Sequence, residues 1–296
     1  MYSKDTNILL RGLKSQLRNK ECKNILKEIR KYISSGKVKK SLEILYKLIK
    51  DTYCDIFKNI KLDIKKNVNS SSINKKLNKI TFLSLKDRVN IQSTLTKIYK
   101  VETTYNTNTV VLHIADNKSR KNENNEHKKL EMSVIRRMMS KLFLLIDLFT
   151  QNQKSQFNIY IWLSDLKKYK PTKQEKKTFS SKHINSGATV HNLSNGTAEL
   201  FIWRKEELEK VLLHEMIHML KLDFMNYPEE LKREFMDEFN IPSKIEIRLG
   251  EAYVETWALL LNCIFITFTK QKSISEQCYS NLKEFYKLLS MEIYFT

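Results

Sequence analysis

Apolar residues recur at helical spacing along the first sixty positions. Ile8, Leu9, Leu13 and Leu17 open the pattern, Ile25, Ile29 and Ile33 continue it, and Leu42, Leu45, Leu48 and Ile49 close it. Intervals of three and four place such side chains on one helix face. Ser34-Ser35-Gly36 supplies a break between two helices. Residues 8–66 are therefore expected to be helical, residues 67–74 to form a polar loop, and residues 84–99 a further helix. The texture then changes. Residues 109–114 and 157–163 are rich in β-branched and aromatic side chains and predict strands. Residues 189–190 begin a short extended piece, Asn195-Gly196 suits a tight turn, and residues 197–203 predict a third strand. Helices are expected over 130–149, 206–222, 232–238, 244–268 and 275–294. Residues 116–129 and 165–182 read as polar loops. The expected class is α+β, a mainly helical chain with a small sheet. The expected division is a basic helical region over residues 1–100 and a second domain over residues 101–296.

Charge sharpens that division. The chain carries +20, from 53 Lys+Arg against 33 Asp+Glu. Residues 1–100 hold 25 basic and 8 acidic side chains, whereas residues 201–296 hold 12 and 16. A basic front suits nucleic acid, an anionic membrane or an acidic protein, and it also suits a plain solvated surface. Without aromatic interleaving, reading of a specific base sequence is not expected. Only 5 Gly and 3 Pro exclude a collagen-like chain, a glycine-rich linker and a turn-dense β-sandwich. Cys22, Cys54, Cys263 and Cys278 form no CxxC pair, so the expected setting is reducing and intracellular. The first ten residues lack the apolar core of a signal peptide. The most apolar run, residues 257–268, is about a dozen residues against the ~20 needed to cross a bilayer. No transmembrane segment is expected there; a buried helix is.

The candidate chemistry lies in His214-Glu215-Met216-Ile217-His218, an HExxH motif inside the periodic helix of residues 206–222. Histidines four apart share a helix face and can grip one Zn²⁺, with the glutamate beside them placed to take a proton from water. A site of this kind needs a third protein ligand. Glu251 and Glu255 are four apart in an otherwise apolar segment, where carboxylates are costly unless paired or bound to metal. Glu251 is assigned as the ligand and Glu255 as the carboxylate that orients a ligand histidine. The reverse assignment stays open at this point. Tyr253, Tyr227 and His191 are candidate donors to a developing oxyanion. The bland reading makes His214 and His218 ordinary structural histidines. His113, His127 and His183 read as ordinary too.

This combination resembles the gluzincin arrangement of zinc metallopeptidases, in which one helix supplies two histidines and a later helix a glutamate. Two departures stand out: Glu255 replaces the more usual Asp, and the interval from His218 to Glu251 is longer than in thermolysin-like members. With His183-Ile184-Asn185-Ser186-Gly187-Ala188-Thr189, residues 105–268 also resemble uncharacterised metallopeptidase-like proteins of large DNA viruses. The Lys/Asn/Ile-rich composition suits an AT-rich viral genome, and the setting would then be host cytoplasm or virion. The resemblance implies zinc-dependent hydrolysis of a protein or peptide substrate, with Glu215 as general base. It also implies that the strand before the motif helix, residues 197–203, is the sheet edge that binds extended peptide. The competing expectation is an inactive virion protein on the same scaffold, whose residues 1–100 bind nucleic acid or an acidic virion protein.

Overall fold

The computed structural model describes residues 20–33, 35–66, 68–117, 132–149, 155–171, 180–191, 198–223, 227–269 and 281–295. The expected helix around residues 8–17, most of the loop at 116–129, the Asn195-Gly196 turn and His127 lie outside them. The class is α+β, with a six-stranded mixed sheet. Two compact units are distinguishable: residues up to Cys54 with those from Leu259 onward, and Asp55–Ala258.

The first unit is helical, with α1 (Lys20–Ile33), α2 (Gly36–Asn59, up to Cys54), the C-terminal part of α9 (Leu249–Thr269) and α10 (Leu282–Phe295). Its core is aromatic. Tyr46 packs against Phe268 and Phe285 and bonds Thr267 Oγ1 through its hydroxyl at 2.8 Å; Tyr53 stacks on Phe268. Cys263 is a buried free thiol, pushed up to about 12 by burial and by Glu292. Cys54, for which the spacing of cysteines gave no partner, is disulfide-bonded.

The second unit holds the sheet, in the order β1 (Asp63–Lys66), β2 (Leu95–Tyr105), β3 (Asn108–Asn117), β4 (Gln156–Trp162), β6 (Ala198–Ile202), β5 (Gly187–His191). β1, β2 and β3 are antiparallel neighbours, β3, β4 and β6 are parallel, and β5 runs antiparallel on β6. One face carries α3 (Ser70–Asn78) and α4 (Leu85–Thr94), whose Ile73, Leu77 and Ile91 meet Tyr160, Trp162, Phe201 and Trp203. Alternate residues of the same strands, Ile159, Ile161, Leu200 and Ile202, are also fully buried. β4 therefore holds an unbroken apolar run from Ile159 to Trp162, as the part of a strand covered on both faces must.

Several expectations are corrected. The polar run at 67–74 contains a cap, since Asn69 Oδ1 accepts from Ser71 N at 2.9 Å and starts α3. The helix expected over 84–99 begins as foreseen, with Ser84 Oγ accepting from Asp87 N at 3.1 Å. It stops at Thr94, because the β-branched residues that follow enter β2. The change of composition near residue 100 thus falls inside a strand; lysine content follows solvent-facing positions, not the fold. Residues 63–66, expected to be helical, form β1. Finally, α9 is longer than its most apolar run. Its Leu249–Phe268 stretch is the one helix among the described residues long and apolar enough to cross a membrane by length and composition, and its first two turns carry Glu251 and Glu255.

Candidate metal centre

The motif helix α7 (Leu208–Met219) is fixed by its apolar side. Val211, Leu212, Leu213, Met216 and Ile217 are buried, and Glu209 pairs at 2.5 Å with the fully buried Lys141 of α5 (Met132–Phe149). That phase leaves His214 and His218 half-buried on one side and draws Glu215 into the interior.

The end of α7 is built for the site. Lys221 N donates to His218 O at 2.9 Å and Leu222 N to Ile217 O at 3.0 Å, with Lys221 in the left-handed conformation at φ 54°. This is a Schellman turn. It reverses the chain and returns Asp223 to His218, whose Nδ1 lies 2.9 Å from Asp223 Oδ2. On the other histidine, His214 Nδ1 lies 3.1 Å from Glu255 Oε2, and Lys210 holds the second oxygen of Glu255 at 2.7 Å. Carboxylates only accept, so each Nδ1 donates its proton to the carboxylate behind it, and each Nε2 is left as the nitrogen a metal ion would take in place of a proton.

Those two Nε2 atoms and Glu251 Oε2 converge. The nitrogens are 3.2 Å apart, and Glu251 Oε2 is 3.5 Å from His214 Nε2 and 3.6 Å from His218 Nε2. A tetrahedral ion with bonds of about 2.0–2.1 Å separates its ligand atoms by about 3.3–3.4 Å. The donor set therefore fits a zinc-sized divalent ion, and His214, His218 and Glu251 form a group able to hold one. The charge balance agrees. Burial opposes charge on His214, yet bonds to Glu251 and Glu255 push it up to about 9. Glu251, against burial, raises His218. The histidines in turn hold Glu251 well below the usual carboxylate range, and His214 holds Glu255, also bonded by Lys210, at about 2. The cage invites positive charge at its centre.

Glu215 is oriented from the sheet. Odd-numbered residues of β5 face α7. A Cβ on Gly187 would fall 2.8 Å from Glu215 Cγ and 3.0 Å from Oε1. Thr189 Oγ1 reaches Glu215 O at 2.8 Å and Oε2 at 3.0 Å, and His191 Nε2 lies 3.2 Å from His218 O. Burial raises the Glu215 carboxyl, outweighing the pull of His214 and Thr189 in the opposite direction.

β5, not residues 197–203, forms the sheet edge; β6 lies between β4 and β5. The reason is the pairing: β6 enters parallel to β4, and the preceding strand can only add outside it, antiparallel. Trp203 N donates to Ser186 O at 3.0 Å, so by antiparallel alternation the backbone groups of Gly187, Thr189 and His191 turn to the open side.

Other sequence candidates sit elsewhere. Tyr253 is two residues from Glu251, on the opposite helix face, edge-on to Trp257. Tyr227 uses its hydroxyl on the backbone, donating to Ile247 O at 3.2 Å and accepting from Leu249 N at 3.3 Å. His183, in α6 (Ser181–Ile184), is buried, with Nδ1 accepting from Ser180 N at 2.9 Å. Asp223 and the contact of Thr189 with Glu215 are what sequence reading missed. Comparison with family models, with curated proteins and with solved structures finds no match.

Proposed function

We propose that the chain is a zinc-dependent hydrolase of peptide bonds in a protein substrate. The observation that carries this reading is the convergence of His214 Nε2, His218 Nε2 and Glu251 Oε2 within 3.6 Å, with a carboxylate behind each histidine. Ordinary core histidines do not aim two ring nitrogens and a carboxylate at one point. When bound, zinc supplies a Lewis acid that polarises a carbonyl and lowers the pKa of water. The chain's own residues do the rest. Asp223 and Glu255 fix the tautomers of the two histidines. Thr189 occupies Oε2 of Glu215, so Oε1 takes the proton of the attacking water and returns it to the leaving amine. A carboxyl raised by burial suits that exchange near neutral pH. The open edge of β5 offers alternating N–H and C=O groups to an extended peptide, which would lie beside Glu215.

The test begins with metal. Full-length protein should carry about one zinc per chain by elemental analysis. His214→Ala and Glu251→Ala should lose it, and stripping wild type with a chelator should lower its Tm. Glu215→Gln should keep zinc and lose cleavage in a proteomic screen. A folded protein that takes up no zinc under zinc-replete conditions sinks the reading. Stoichiometric zinc with no turnover would instead favour the inactive virion-scaffold alternative, with the basic residues binding nucleic acid or an acidic partner.

A further inference from the structure

α8 (Glu229–Glu238) is ten residues long and buries none of them, and Pro228 before it makes no side-chain cap bond. Helices this short are marginal in water without tertiary packing. Its side chains nevertheless form a pattern that packing would use. Leu231, Phe235 and Phe239 recur every fourth residue, 48%, 36% and 61% exposed, and the two phenylalanine rings lie 4.6 Å apart. Beside this stripe Glu230, Glu234 and Glu238 repeat at the same interval. Arg233 meets Glu230 at 3.3 Å; Glu234 and Glu238 carry no ion pair among the described residues. The result is an apolar ridge with an acidic border.

The complementary surface lies on α2. Its inner side buries Tyr46, Ile49 and Tyr53. Its outer side, at helical spacing, presents Lys37, Lys40, Ile44, Lys47 and Leu48, all exposed, with Ile44 at 59% and Leu48 at 49%, and ends on the exposed Asp51. This is an apolar ridge with a basic border. In a chain of +20, copies repel one another over most of their surface. The acidic border of α8 is where that repulsion turns to attraction.

We propose that α8 of one molecule docks against the outer face of α2 of a second copy. The apolar ridges supply the affinity, and Glu234 and Glu238 opposite Lys40 and Lys47 select the pairing. The two faces differ, so the contact is heterologous. Each molecule keeps one free face of each kind, and association continues past the dimer unless it closes into a ring. The proposal is independent of zinc and of hydrolysis.

Sedimentation velocity of the full chain at rising concentration tests it. Mass should grow with concentration and shrink again in high salt. Phe235→Glu with Phe239→Glu should leave a monomer, and so should Ile44→Glu with Leu48→Glu. Glu234→Lys with Glu238→Lys should weaken association about tenfold, as should Lys40→Glu with Lys47→Glu, and the four changes in one chain should restore it. Circular dichroism and thermal melts confirm that each variant is folded. A wild-type chain that stays monomeric overturns the proposal. So does association indifferent to the α8 variants, or association lost in the α8 variants and kept in the α2 variants, which would make the occupant something other than a second copy's α2.

Discussion

Thr189 and Gly187 place Glu215 without a charged partner, and the Thr189 hydroxyl lowers the carboxyl less than burial raises it. The hydroxyl fixes one oxygen, and the missing side chain leaves room for the other. On the proposed hydrolase reading, Thr189→Val should keep zinc while lowering kcat by about ten- to hundredfold with little change in KM, and Thr189→Ser should restore most of it; metal content beside single-substrate kinetics checks this. A second prediction concerns His113, whose ring stacks on Tyr160 at 4.8 Å. Burial first, then Lys100 and Lys76, push it down to about 4 from 6.5. Between those values the unfolded chain binds the additional proton. The stability contributed by neutral His113 is thus fully present above about pH 6.5 and is lost as pH falls toward 4. Melting temperatures measured across that window should fall less steeply for His113→Phe than for wild type.

Among the elements, the motif helix was the most legible, because an apolar side at helical period also fixes where the two histidines point. Glu251 and Glu255 were legible for a related reason: paired carboxylates in an apolar helix need a partner. Asp223 was not. It reaches His218 only through a left-handed turn whose key position is Lys221, where glycine would have announced it. The edge strand was misplaced because strand order depends on a parallel crossover that no local pattern records. α3 was hidden because Asn69 and the serines after it read as loop residues until their capping bond is seen. The turn itself gives a prediction. Lys221 is exposed and sits where non-glycine residues are strained, so Lys221→Gly should stabilise the protein by about 1 kcal/mol and leave zinc affinity intact, as urea denaturation with metal titration would show.

For the molecule as a whole, charge and fold are drawn on different lines. The lysines that made residues 1–100 look like a separate module are spread over helices of one unit and over helices and strands of the other. The negative groups are concentrated instead: Glu215, Asp223, Glu251 and Glu255 gather within one site, with the acidic α8 between Asp223 and Glu251 in sequence. In a strongly cationic chain, such a focus favours small cations there and leaves polyanions to the remaining surface.

The phenol of Tyr227 has a consequence best put in polymer terms. By bridging Ile247 O and Leu249 N it ties off residues 228–247 at their base, two positions before Glu251. The scaffold then sees that segment as a closed loop, and the entropy of closing a loop grows only with the logarithm of its length, about 0.6 kcal/mol per doubling. Replacing residues 229–245 by a short glycine-serine bridge should therefore leave zinc stoichiometry and the melting transition nearly unchanged, while Tyr227→Phe, which removes the knot and keeps the loop, should disturb both. The excursion that carries α8 can be lengthened, trimmed or exchanged without redesigning the site beside it.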